Sequence, residues 1–188
     1  MSETVTKAMK RPGVVPAAVT GLGVLVALLA IGFVQGVFTT LGVAATSSIV
    51  GNYISQIWAA QLVGLVTGPL PFAVGVFLCL WQVAPIAPTL RLAHVVTRSS
   101  LAALLGAVMM WIVFWVAQLV VETAGFAREF QGAVLFGKVG PDAVAAAFRA
   151  LSVTAGYLPV AVLAGILLWG WLQRHPLDKP VHGTLDEV

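Results

Sequence analysis

"GPLPFAVGVFLCLW", residues 68–81, places two prolines two residues apart within an apolar run. Proline lacks a backbone N–H and its ring clashes with the preceding turn, so this pair predicts the start or a sharp bend of a helix. A second stretch, "GYLPVAVLAGILLW" at residues 156–169, has the same outline: glycine, one residue, leucine, proline and an apolar run closed by tryptophan. We call these the two Gly-x-Leu-Pro stretches.

The composition of the chain predicts a protein embedded in a lipid bilayer. Of the 188 residues, 60% are hydrophobic and 9% are charged, and the mean hydropathy is +1.00. Soluble domains carry about 25% charged residues, so a surface this poor in charge predicts an integral membrane protein. The basic residues are scattered rather than clustered with aromatic residues, which argues against a nucleic-acid partner.

Four apolar segments are long enough to cross a bilayer, which requires about 20 residues of helix. They run approximately over residues 15–41, 62–83, 101–121 and 151–172. The sequence therefore predicts an all-α, polytopic membrane protein with four transmembrane helices. Its predicted divisions are a cytoplasmic N-terminal segment (1–13), the transmembrane domain (14–172) and a mobile cytoplasmic tail (173–188).

The distribution of basic residues predicts the orientation of the four helices. Seven of the ten basic residues fall on the side of the two chain termini: Lys7, Lys10, Arg11, Arg91, Arg98, Arg174 and Lys179. The other three, Arg128, Lys138 and Arg149, fall in the last connection. The positive-inside rule then places both termini in the cytoplasm. Few lysines and a single asparagine are typical of a GC-rich genome, which favours a bacterial inner membrane.

The two Gly-x-Leu-Pro stretches suggest an internal duplication. They agree at seven of fourteen positions, and each lies in the second helix of a helix pair. The halves would cover about 14–88 and 99–176 and form parallel repeats about an axis along the membrane normal. Chance similarity in so biased a composition is the alternative.

We expect the second helix of each half to be kinked at its Gly-x-Leu-Pro stretch, at Gly68, Pro69, Pro71, Gly156 and Pro159. Two such kinks would splay the outer ends of the helices and leave a cleft for a lipid tail, a peptide or a partner helix. Alternatively, the kinks only fit the helices together, because proline and glycine are common in membrane helices.

Five other residues are candidates for contacts inside the membrane. Gln35, Gln118 and Thr67 are polar residues within or beside the spans, and the two glutamines could hydrogen-bond across the bundle. Trp111 and Trp115 lie four residues apart towards the middle of the third span. They share one helix face, which either fills the core or contacts a lipid or a partner.

No catalytic, metal-binding or cofactor-binding residues are predicted, because the sequence contains no HExxH, GxSxG, CxxC or phosphate-loop motif. The sequence predicts a non-enzymatic membrane subunit or scaffold that contacts the lipid bilayer and other membrane proteins or copies of itself. The alternative is a small oligomeric channel or facilitator for a small solute or lipid. A third interpretation is an enzyme that acts on lipids, with His94 as its base.

Overall fold

The structure, a computed structural model, describes residues 13–46, 59, 62–123 and 143–175. Its helices are α1 (Val14–Thr46), α2 (Pro69–Leu78), α3 (Leu92–Thr123) and α4 (Ala143–Arg174). Residues 62–67 are also helical and precede α2, and a π-helical turn, Cys79–Val83, follows it. The predicted terminal segments and most of the two connections that follow α1 and α3 lie outside the described residues.

In the described part of the chain, four helices are long and apolar enough to cross a membrane. These spans are Val14–Gly42, Leu62–Val83, Leu92–Val120 and Ala143–Arg174. The predictions of an all-α protein and of four spans are therefore confirmed. The third and fourth helices begin earlier than predicted, because an apolar window measures the length that suits lipid, whereas a helix continues while its residues sustain backbone hydrogen bonds.

Contacts between the helices define two ends of the bundle. We call the end where α1 begins and α4 ends the proximal end, and the opposite one the distal end. At the proximal end, the loop between α2 and α3 is held from two sides. The Trp169 indole Nε1 donates to the Leu90 carbonyl at 3.0 Å, and the Arg98 guanidinium donates to the Pro85 carbonyl.

The end of the π-helical turn is explained by Pro85. A residue before proline is pushed out of the α region, and Ala84 accordingly has φ −138° and ψ 67°. The last backbone bond of the turn runs from the Ala84 N–H to the Cys79 carbonyl at 2.9 Å. The chain then leaves the helix and enters the proximal loop.

Glycines allow the proximal half of the bundle to close tightly. A Cβ added to Gly75 of α2 would lie 2.6 Å from the Cα of Gly106 on α3, so the two backbones are in direct contact. Between α3 and α4, Gly165 faces the buried Ser99, whose hydroxyl fills the space that a side chain would need. Small residues of this kind let membrane helices approach closely and gain dispersion energy.

The two Gly-x-Leu-Pro stretches have different local structures. Gly68 caps α2 with φ −111° and ψ −86°, outside the helical region, and Pro69 begins the helix, where its missing N–H does no harm. By contrast, Gly156 and Pro159 lie inside the uninterrupted α4. The paired kinks and the internal repeat stay predictions.

We predict that Gly75→Ala lowers the free energy of unfolding by about 1–3 kcal/mol, since the new methyl group meets backbone rather than a side chain that can move. The matched control is Gly23→Ala in α1, where an added Cβ finds nothing within 4 Å. That change should be neutral or stabilise the helix by up to about 1 kcal/mol. Denaturant unfolding in micelles measures both, and equal effects would contradict the close α2–α3 contact.

Candidate functional site

A cavity of about 170 Å³ lies in the distal half of the bundle, beside the break at Gly68. Its walls come from three parts of the chain: Val63, Gly64, Thr67 and Gly68 before α2, Phe114 on α3, and Arg149, Val153 and Tyr157 on α4. We call it the distal cavity. It combines apolar walls with one guanidinium, one phenol and one hydroxyl group.

The wall at Gly68 is shaped by the absence of a side chain. A Cβ at this position would lie 3.0 Å from the Gly64 carbonyl oxygen and 3.3 Å from the Tyr157 hydroxyl. Glycine therefore lets the phenol of α4 approach the backbone where α2 begins. The non-helical dihedral angles of Gly68 and the position of the Tyr157 hydroxyl are coupled by this contact.

Phe72 supports Tyr157, one of the residues that line the distal cavity. Its ring meets that of Tyr157 edge to face, with 5.2 Å between ring centroids, and it is fully buried. On its other side it packs against Gly106, where an added Cβ would lie 2.6 Å from Cδ2 of Phe72. Phe72 thus orients the phenol of Tyr157 and links it to the contact between α2 and α3 at Gly106.

Arg149 lies at the far end of the cavity from Tyr157. Its guanidinium sits over the Phe114 ring, 5.2 Å from the centroid, an arrangement that favours a cation on an aromatic face. Trp169, which bonds to the proximal loop, follows Arg149 on α4 by about 20 residues, or about 30 Å of helix. That distance matches the thickness of a hydrocarbon core, so an orientation with Trp169 at one edge of the core would place Arg149 at the other edge.

The polar residues that the sequence singled out are not joined to one another. Gln35 is exposed on α1, whereas the Oε1 atom of Gln118 is buried without a hydrogen-bond partner. Thr67 donates to the carbonyl oxygens of Val63 at 3.0 Å and Gly64 at 3.4 Å. Of the three, only Thr67 lines the distal cavity, and the predicted Gln35–Gln118 hydrogen bond is not formed.

The predicted tryptophan pair separates into two environments. Trp111 packs against the core, and its Nε1 donates to the carbonyl of Ala143, the first residue of α4, at 2.9 Å. Trp115 is 38% exposed and faces outward. Trp111 therefore fastens the beginning of α4 to α3, while Trp115 presents its ring to the surroundings.

The residues of the two predicted kinks differ in burial. Gly68, Pro69 and Pro71 are buried beside or just below the cavity, whereas Gly156 and Pro159 are exposed on α4. The neighbour of Gly156, Tyr157, is the α4 residue that reaches the cavity wall. The first Gly-x-Leu-Pro stretch therefore interrupts the helix at Gly68. The second contributes the Tyr157 side chain to the cavity wall.

Arg149 is the site residue that the sequence interpretation assigned elsewhere. An apolar window that begins at Leu151 leaves Arg149 in the connection, but "AVAAAFRAL" (143–151) is composed of strong helix formers. That helical propensity was the signal that could have placed Arg149 on α4. Within the described residues, no group of three or more His, Cys, Asp or Glu side chains is arranged to hold a metal ion.

Comparison of the chain with protein-family models, with curated proteins and with solved structures finds no match. Functional inference therefore depends on the geometry of the distal cavity and its surroundings.

We predict that Trp111→Phe lowers the free energy of unfolding by about 0.5–1.5 kcal/mol, because the bond to Ala143 is lost while most of the ring packing is kept. Trp115→Phe is the matched control, and its effect should stay within about 0.5 kcal/mol, as for other surface changes. Chemical unfolding in micelles provides both values. A larger loss in the Trp115 variant would reverse the roles assigned to the two rings.

Proposed function

We propose that the protein is a non-enzymatic, multi-pass membrane protein that works by holding a lipid in its distal cavity, as a lipid-contacting subunit of a membrane assembly. The positive-inside distribution of its basic residues supports cytoplasmic termini. With that orientation, the distal cavity belongs to the outer leaflet of the membrane, and the composition favours a bacterial inner membrane.

The observation that carries this proposal is the depth of the distal cavity. With Trp169 at the inner edge of the hydrocarbon core, Arg149 would reach headgroup level, and the cavity descends to Tyr157, about 12 Å further along α4. A phospholipid has the same order of groups: a charged headgroup, polar ester groups and an apolar chain. The apolar walls formed by Val63, Phe114 and Val153 suit the beginning of an acyl chain.

The surface of the bundle supports contact with lipids or partner helices. In the distal half of α1, Val34 and Phe38 are exposed, so that this face needs an apolar neighbour. Gln35 lies among them and offers an amide that can donate and accept hydrogen bonds. A lipid layer satisfies the apolar side chains, and a partner helix would also satisfy the amide.

A single-chain channel is disfavoured by the packing of the proximal half. The backbones of Gly75 and Gly106 touch, Ser99 fills the space beside Gly165, and Phe72 packs between Gly106 and Tyr157. A path across the membrane would therefore have to run between copies of the chain. The oligomeric channel remains the second candidate, and a defined homo-oligomer would support it.

The cavity is suited to binding rather than to hydrolysis. Its polar side chains are a guanidinium, a phenol and a threonine hydroxyl that already donates to backbone carbonyls. A nucleophile requires an adjacent base, and neither histidine nor carboxylate is among the described residues that line the cavity.

The two Gly-x-Leu-Pro stretches have complementary tasks in this proposal. The first opens the wall at Gly68, and the second carries Tyr157 towards that opening. An ancestral duplication in which only one copy kept the helix break would account for their shared sequence and their different structures.

Native mass spectrometry of gently extracted protein tests the proposal. Gly64→Leu places a side chain in open space at the cavity wall, so we predict that it abolishes the lipid adduct that the unchanged protein retains. Gly156→Leu adds the same side chain at an exposed, equally open position of α4 and should leave the adduct unchanged.

Three results would contradict the proposal. They are equal lipid retention by both glycine variants, an unchanged protein that carries no lipid, and a defined homo-oligomer that conducts solute. Thermal unfolding of both variants checks that they fold.

A further inference from the structure

We propose that the distal cavity selects an anionic phospholipid, whose phosphate group is bound by Arg149 and whose ester carbonyl accepts a hydrogen bond from Tyr157. This inference rests on the proposed function and adds the chemical class of the lipid. It follows from the charge of the cavity wall, the depth of its polar groups and the way in which each is fixed.

The charge of the wall favours a negatively charged ligand. Among the eight residues in the described part of the chain that line the cavity, one is a cation and none is a carboxylate. A choline or ethanolamine headgroup would bring an ammonium group next to the guanidinium, where the two like charges repel. The face of Phe114 that the Arg149 guanidinium covers is not available to such an ammonium group.

Arg149 is held in a geometry that suits phosphate. The Phe114 ring contacts the guanidinium through its face, while the N–H groups of a guanidinium lie in its plane. Arginine has five such donors, so that a phosphate can bind beside other partners. Paired N–H bonds from arginine to phosphate are short, directional and roughly twice as strong as bonds between neutral groups.

Tyr157 is placed for the next polar group of the lipid. Side chains of a helix point towards its N-terminus, so Tyr157 and Arg149 lean in the same direction and stay about 12 Å apart along α4. The ring is fixed edge to face on Phe72, and the hydroxyl lies beside Gly68. In a bilayer, the ester groups lie just below the phosphate, where this hydroxyl can donate.

The test uses the full-length protein reconstituted in vesicles that contain equal amounts of phosphatidylglycerol and phosphatidylcholine, followed by extraction and native mass spectrometry. The unchanged protein should retain phosphatidylglycerol over phosphatidylcholine by about tenfold or more, because both lipids offer a phosphate to Arg149 but only phosphatidylcholine brings an ammonium group that the guanidinium repels. Arg149→Gln should reduce that ratio to about one while a lipid is still retained.

Two further variants separate recognition from folding. Arg149→Lys keeps the charge and should preserve part of the preference, because lysine binds phosphate as a point charge without paired donors. Tyr157→Phe keeps the ring and should weaken retention of both lipids without changing their ratio. Equal thermal stability of Arg149→Gln and Arg149→Lys excludes a folding defect as the cause of a difference between them.

The outcomes distinguish the two proposals. An unchanged protein that retains lipid without preference, or an Arg149→Gln variant that keeps the preference, overturns the anionic assignment but leaves lipid binding intact. An unchanged protein that retains neither lipid overturns the proposed function itself. A rise in melting temperature with inorganic phosphate but not with phosphatidylglycerol overturns the lipid assignment in favour of a free anion.

Discussion

The close approach of backbones at Gly75 and Gly106 is the contact on which the remaining architecture depends. Lipid tails are as apolar as leucine, so membrane helices do not associate by a hydrophobic force, and close packing must supply the stabilisation. With no Cβ between them, α2 and α3 meet directly in the proximal half. The Ser99–Gly165 contact packs α4 closely against α3 in the proximal half.

The distal half is built differently, because α2 cannot be continuous with the helix before it. Pro69 and Pro71 have no N–H to donate to the preceding turn, and the helix is interrupted at Gly68, whose dihedral angles are not helical. Phe72 and Tyr157 fill the lower part of the resulting space, and the upper part is the distal cavity with Arg149 at its rim. A closed base and an open top make this bundle better suited to holding one molecule within a leaflet than to conducting one across the membrane.

Much of this fold could be predicted from the sequence, because membrane burial leaves a strong signal in composition. The four spans and the special status of Gly68 follow from apolar length and from the chemistry of proline. The sequence also pointed to a cleft near the two Gly-x-Leu-Pro stretches. It could not show that Gly156 and Pro159 lie in a continuous helix, since proline is tolerated in membrane helices when neighbouring groups satisfy the backbone.

The site residues were harder to predict for a related reason. Hydropathy placed Arg149 outside the fourth span, although a helix can carry an arginine at headgroup level. The predicted Gln35–Gln118 bond failed because depth alone does not decide which faces of α1 and α3 meet. Trp111 and Trp115 share a helix face, yet the start of α4 covers only the first of them.

A crystal structure grown from a lipidic phase that contains phosphatidylglycerol tests the central claim most directly. The account predicts a phospholipid in the distal cavity, with its phosphate beside Arg149 and its ester region beside Tyr157, above a proximal half closed at Gly75 and Gly106. A cavity filled by protein side chains, or a water-filled path that continues past Phe72 to the proximal end, would contradict it.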